Sequence, residues 1–116
     1  MRKVLIVDDD PMVREVLGIM LSGYCRVISA SNGKEAVAAY KKSKPDIVLM
    51  DILMPEMDGI TATKEIKAFD PDAKIIAITA YASTKGEDML KVGAIDVVGK
   101  PIRKTELIAK IEEYLE

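Results

Sequence analysis

The sequence predicts an α/β protein, a doubly wound sheet of five parallel strands each followed by a helix. Three observations carry this. Short hydrophobic runs alternate with helix-length segments five times along 116 residues. The runs are apolar at most positions rather than at every second one, as strands buried on both faces by helices must be. Four of them also stop at a reactive polar residue: Lys3-Val4-Leu5-Ile6-Val7 at Asp8-Asp9, Ile47-Val48-Leu49-Met50 at Asp51, Ile75-Ile76-Ala77-Ile78 at Thr79, and Ile95-Asp96-Val97-Val98-Gly99 at Lys100. In an open α/β sheet ligands bind beyond the carboxyl ends of the strands, so carboxylates, a hydroxyl and an ammonium converge on one edge of the molecule.

Each element has its own signals. The first strand runs straight from the amino terminus into Asp8-Asp9. The first helix starts at Asp10-Pro11, a capping acid followed by proline at the first helical position, and reaches about Leu21. Its apolar residues, Met12, Val13, Val16, Leu17, Ile19, Met20 and Leu21, cover more than one stripe, which fits either a docking face or deeper burial by neighbours. Tyr24 to Ser29 reads as the second strand. Asn32 with Glu35 makes a capping-box-like start to the second helix, whose end carries Lys41, Lys42 and Lys44 before Pro45, cations suited to a helix carboxyl end. Asp58-Gly59 opens the third helix, which stops before Asp70-Pro71. Thr84 with Glu87 opens the fourth, and Gly93 sits where a left-handed cap belongs. With Gly86 in its first turn and Met89, Leu90 and Val92 as its only large anchors, the fourth helix is expected to be the least stable. The fifth runs from about Lys104 to Leu115, with Leu107, Ile108, Ile111 and Leu115 on one stripe.

Composition narrows the chemistry. The length suits one domain over residues 1–116, with a real core and no output domain. A net charge of −2 and the lack of a basic tract give no attraction to nucleic acid or anionic membrane. No apolar stretch approaches a bilayer span and no signal-peptide pattern opens the chain, so a cytoplasmic location is expected. The single Cys25 falls in the predicted second strand and reads as a buried structural thiol. There is no histidine, which removes imidazole-base catalysis and zinc sites of His type. Chemistry must run on carboxylate, hydroxyl and amine.

At a strand end the chain turns, so the adjacent Asp8 and Asp9 can both reach a shared cation. With Asp51 they form an all-oxygen set with few ligands, which suits Mg²⁺ retaining several waters. Without a cation, three close carboxylates would repel one another and hold protons abnormally tightly. The bland alternative is helix capping, which is preferred for Asp10 alone. Such a site naturally receives a phosphoryl group, because the metal bridges carboxylate and phosphoryl oxygens. Lys100 then supplies a second positive charge, Thr79 a hydroxyl donor, and one of the aspartates the nucleophile of an acyl phosphate.

These residues, Val7-Asp8-Asp9, Asp51-Ile52-Leu53-Met54-Pro55-Glu56-Met57-Asp58-Gly59, Thr79-Ala80 and Lys100-Pro101, together resemble a receiver domain of the two-component response regulators, of the single-domain, chemotaxis-regulator-like kind. The resemblance covers the whole chain in family order. It implies a flavodoxin-like sheet of order 2-1-3-4-5, an order the general rule for such folds itself illustrates with this family. It implies Asp51 as phosphoacceptor, with Asp8, Asp9, Asp51 and the backbone carbonyl of Leu53 as Mg²⁺ ligands. Thr79 would couple phosphorylation to the conformational switch, Lys100 would contact the phosphoryl group, and Lys100-Pro101 is a candidate cis peptide. The phosphoryl donor would be a sensor histidine kinase or a histidine phosphotransfer protein, and a downstream protein target would read the result. The chain would be a phosphoacceptor switch that catalyses only its own phosphorylation and dephosphorylation.

One departure stands out. Three residues before the lysine the family usually carries an aromatic that swings inward on activation, and here that position is Val97. Tyr81 is the nearest aromatic that can substitute. Thr79-Ala80-Tyr81 is more similar to sporulation-type phosphorelay regulators than to the chemotaxis regulator, which favours relay over motor binding. The response is expected to concentrate between Tyr81 and Gly93. Alternatives are a receiver fragment of a larger regulator and, further off, a small Mg²⁺-dependent phosphohydrolase using Asp8 and Asp10. The hydrolase reading suffers from Met12, where its motif wants Thr or Val, and a flavin module from Asp8-Asp9-Asp10, which would repel flavin phosphate.

Overall fold

A computed structural model describes residues 2–80 and 84–115. Five strands and five helices alternate: β1 (Lys3–Val7), α1 (Pro11–Leu21), β2 (Arg26–Ala30), α2 (Gly33–Ser43), β3 (Ile47–Met50), α3 (Gly59–Phe69), β4 (Ile75–Thr79), α4 (Thr84–Lys91), β5 (Asp96–Gly99) and α5 (Lys104–Tyr114). The strands form one sheet of order β2-β1-β3-β4-β5, and every neighbouring pair is parallel. Strand order reverses at β1, so a crevice opens beyond the carboxyl ends of β1 and β3.

Alternation along the central strands sorts the core into two layers. Leu5 and Val7, Val48 and Met50, and Ile75 and Ala77 face the layer that holds Ala36, Ala62, Ile66 and Met89 of α2, α3 and α4. Val4 and Ile6, Ile47 and Leu49, and Ile76 and Ile78 face Leu17 and Leu21 of α1 and Leu107 and Ile111 of α5. Side chains of β1, β3 and β4 are almost wholly buried, which explains their unbroken apolar runs. Each fully buried aliphatic of this size is worth roughly 1.5–3 kcal/mol against exposure.

Helix starts follow the sequence signals. The Asp10 carboxylate accepts from the Met12 N–H at 2.9 Å, the Asn32 side chain from the Glu35 N–H at 2.8 Å, and the Asp58 carboxylate from the Thr61 N–H at 2.8 Å. Gly93 has φ +113°, the positive range that suits a glycine after a helix.

Three expectations are corrected. The second strand begins at Arg26, not Tyr24, because Cys25 N–H still donates to the Leu21 carbonyl and completes the turn after α1. Cys25 is therefore buried ahead of the strand rather than in it, and burial pushes its thiol pKa up. Second, Glu35 does not close a reciprocal capping box. Its carboxylate accepts from both the N–H and the hydroxyl of Ser31 at 2.8 Å, one residue further back. Third, the outer apolar residues of α1 are not buried by neighbours, since Met12 is 68% and Ile19 65% exposed.

Candidate functional site

The register of the sheet assembles the site. Val7 lies opposite Met50 in the β1–β3 pair, and Asp51 N–H donates to the Val7 carbonyl at 2.9 Å. The residues that follow, Asp8 and Asp51, are thus placed side by side at the topological crevice. On the other flank Thr79 pairs with Gly99, and Lys100 N–H donates to the Thr79 carbonyl at 3.0 Å. That bond turns the Lys100 side chain back across the strand ends.

Carboxylate oxygens of Asp8, Asp9 and Asp51 lie within 4.8 Å of one another. Asp8 is 2% and Asp51 7% exposed, whereas Asp9 opens to solvent. Asp8 is fixed by Asp10 N–H, which donates to its Oδ1 at 2.9 Å, and Asp51 by Ile52 N–H, which donates to its Oδ1 at 2.9 Å. The other oxygens face a cation: Lys100 Nζ is 2.6 Å from Asp8 Oδ2 and 3.5 Å from Asp51 Oδ2. Burial, reinforced by the neighbouring Asp8, pushes the Asp51 carboxyl above the usual carboxylate range, and Lys100 opposes that rise. For Lys100 burial favours the neutral amine, but its hydrogen bond to Asp8 and the charge of Asp51 outweigh it and raise the pKa. Two close, buried carboxylates against one ammonium leave an excess of negative charge that a hard cation relieves. Among the described residues this is the one cluster with the ligand spacing of a metal site.

The remaining candidates are placed as follows. Thr79 is buried at the end of β4. Leu53 is exposed two residues beyond Asp51. The Lys100–Pro101 peptide is cis. Val97 is half-buried against the α2–α3–α4 layer, and the backbone of α4 rests on it: a Cβ built on Gly86 would meet Val97 Cγ1 at 2.9 Å. Tyr81 lies outside the described residues.

Contacts that the sequence reading did not single out complete the site. Arg14 donates from its guanidinium to the Asp8 carbonyl at 2.7 Å, a link one turn into α1 that no motif announces. Gly59 packs on the main chain of the phosphoacceptor candidate itself, for its Cβ would lie 2.1 Å from the Asp51 carbonyl oxygen. In sequence the Asp58-Gly59 pair reads as a helix start and as the end of the motif that begins at Asp51, neither of which announces this packing.

Comparison with known proteins agrees with this geometry. The family model of the response regulator receiver domain matches residues 4–112. The chain is 44% identical over 115 residues to the chemotaxis protein CheY of Thermotoga maritima, covering 97% of this chain and 96% of that one. Among solved structures, the receiver domain of a sensor histidine kinase of Pseudomonas aeruginosa, with a magnesium ion coordinated in its active site cleft, superposes with TM-score 0.92 at 32% identity, covering 98% and 97% of the two chains. The CheX-CheY-BeF3-Mg+2 complex from Borrelia burgdorferi matches with TM-score 0.87 and 36% identity over 97% of this chain and 87% of that one. With its strand order, its acidic crevice and these relatives in agreement, the chain belongs to the response regulator receiver family of two-component signalling.

Proposed function

We propose that this receiver accepts a phosphoryl group on Asp51 with Mg²⁺ held by Asp8, Asp9, Asp51 and the Leu53 backbone carbonyl, and that the modified state is read by a protein partner. The observation that carries the reading is the Lys100 ammonium between two buried carboxylates, 2.6 Å from one and 3.5 Å from the other. The three carboxylates fit Mg²⁺ in donor type and spacing, and exposed Asp9 leaves a side open to water and phosphate. Bound there, the metal would supply the positive charge that offsets the carboxylates and the incoming phosphoryl group.

The chain's own residues do the rest. Ile52 N–H fixes one oxygen of Asp51 and turns the other toward Lys100. A lone pair of Asp51 forms the new O–P bond while the P–N bond of a phosphohistidine donor breaks, and its electron pair returns to the donor imidazole. With no histidine in this chain the donor is a sensor histidine kinase, a histidine phosphotransfer protein or a small phosphodonor. The phosphoryl group brings about 1.5 to 2 negative charges. Lys100 then exchanges Asp8 for a phosphoryl oxygen, and the Thr79 hydroxyl is drawn the same way. Hydrolysis of the acyl phosphate in the same site resets the switch, so the catalysis is confined to the protein's own modification. No helix among the described residues is long and apolar enough to cross a membrane, and a cytoplasmic location accords with a kinase-fed switch.

Intact-mass analysis with a small phosphodonor tests the assignment. Wild type gains one phosphoryl mass only when Mg²⁺ is present, and Asp51→Asn gains none; an equal gain in the variant would place the nucleophile elsewhere. Asp9→Ala weakens Mg²⁺ binding while leaving the part-buried Asp8–Lys100 pair in place.

A further inference from the structure

The segment between Ile52 and Asp58 carries the Leu53 carbonyl assigned above to Mg²⁺, and it is clamped at both ends. At the near end Gly59 N–H donates to the Ile52 carbonyl at 2.7 Å. At the far end the clamp comes from another part of the chain. The first residue of α2, Gly33, donates its N–H to the Met57 carbonyl at 3.0 Å. A Cβ on Gly33 would lie 2.4 Å from that oxygen and 3.0 Å from the Asp58 carbonyl oxygen. Both neighbours are main chain, so neither can swing aside as a flexible side chain would. Between the clamps Glu56 holds a left-handed φ of +67° and Met57 N–H closes a tight turn onto the Pro55 carbonyl at 2.8 Å. That conformation persists only where surrounding contacts over-determine it.

Gly33 is not required by its own helix. Its φ lies outside the positive range, and alanine has the higher helix propensity. The cap of α2 is made by Asn32, whose side chain accepts from Glu35 N–H at 2.8 Å. What excludes a side chain at residue 33 is the main chain of Met57 and Asp58, the Met57 carbonyl oxygen nearest of all.

We infer that Gly33 is a positioning residue for the metal-binding loop: by letting the amino end of α2 close on Met57, it holds the turn that presents Leu53 to Mg²⁺. The inference rests on the Mg²⁺ reading proposed above. Outer groups that orient ligands govern metal affinity strongly, typically by about 10- to 100-fold on removal.

Calorimetric Mg²⁺ titration of wild type, Gly33→Ala, Asn32→Ala and Asp9→Ala tests it. Gly33→Ala is expected to bind Mg²⁺ at least about tenfold more weakly. Asn32→Ala, which loses the cap of α2 but keeps the Met57 contact, is expected to retain wild-type affinity despite a lower melting temperature. Wild-type affinity in Gly33→Ala, or an equal loss in both α2 variants, overturns the inference while the Mg²⁺ reading stands. Absence of binding in wild type, or equal binding in Asp9→Ala, overturns the Mg²⁺ reading and the inference with it. A measurement on wild type alone covers the case of a variant that does not fold. The Gly33 amide resonance is expected to shift during Mg²⁺ titration with the midpoint of the calorimetric curve while Gly18 and Gly23 stay fixed. An unmoved Gly33 resonance at saturating Mg²⁺ overturns the inference.

Discussion

The helices that follow the neighbouring strands β3 and β4, α3 and α4, are anchored in opposite ways. After β3, α3 is capped by Asp58, presses Gly59 onto the Asp51 main chain, and buries Ala62, Thr63 and Ile66. Its far end is tied to α2 by the Tyr40 hydroxyl, which donates to Asp70 at 2.8 Å. Burial together with that acceptor raises the Tyr40 pKa, while the same bond lowers that of Asp70. After β4, α4 is eight residues long against eleven for α3, and Met89 is its one large buried side chain among the described residues. Its Gly86 lies directly against Val97 of β5. The phosphoacceptor candidate thus precedes the rigid helix of the pair, and Thr79 ends the strand before the weakly anchored one. A switch needs this asymmetry, because segments that move are drawn from the low-stability end of a fold.

The comparison is broken most severely at Gly59. Gly59→Ala drives a methyl far inside van der Waals contact with a main-chain oxygen, and it is expected to cost about 3 kcal/mol or more. Urea denaturation checks this, and a loss below about 1 kcal/mol would mean that the β3–α3 connection is not the rigid one. Next comes Met89→Ala, which removes the buried anchor of α4 and leaves the Thr63 hydroxyl without the thioether it now donates to at 3.8 Å. The expected loss is about 2–5 kcal/mol. Native-state hydrogen exchange adds the finer point that protection in α4 falls before protection in α3.

A smaller and more diagnostic effect is expected at Gly86. Gly86→Ala gains up to about 1 kcal/mol of helix propensity and meets the branched side chain of Val97, nearest at Cγ1. The net stability change is expected within about 1 kcal/mol of zero, while α4 is pushed off β5 and the partner-binding response to phosphorylation changes. The cycle with Val97→Ala, which restores the space, sharpens the reading: coupling between the two positions supports direct α4–β5 contact, and additivity argues against it.

The smallest effect is a pH dependence at the opposite end of β5. Partial burial would raise the Asp96 pKa, but donors from Lys110 at 2.7 Å, Tyr114 at 2.9 Å and its neighbour Val97 N–H hold it below the usual carboxylate range. The same contact pushes the Tyr114 phenol up to about 12. A depressed folded pKa means that the contribution is complete above the unfolded value of about 3.9 and is lost as pH falls through the folded one. Stability of Asp96→Asn is therefore expected to fall less than that of wild type between pH 5 and pH 2, and urea midpoints across that range measure the difference.

Much of this was legible in the chain. Unbroken apolar runs in β1, β3 and β4 follow from burial on both faces, and each capping acid stands where its helix begins because a capping bond spans only two or three residues. Asp8, Asp9, Asp51, Thr79 and Lys100 were legible as a group because strand ends in a parallel sheet share one edge, whatever their separation in sequence. The second strand was misplaced by two residues because Tyr24 and Cys25 are as apolar as strand residues, and the backbone bond from Cys25 to Leu21 is invisible to composition.

Sequence by itself determined the alternation of strand and helix, the caps and the identity of the polar strand ends, since these depend on neighbours within a few residues. Only the tertiary structure decided that Lys100 reaches across to Asp8, that Arg14 holds the Asp8 main chain, that Gly33 closes on Met57 and that Gly86 leaves room for Val97. Those contacts join residues brought together by sheet register and helix packing. A glycine records nothing of what fills the space beside it, and the distances that make these groups act together exist only once the core has closed.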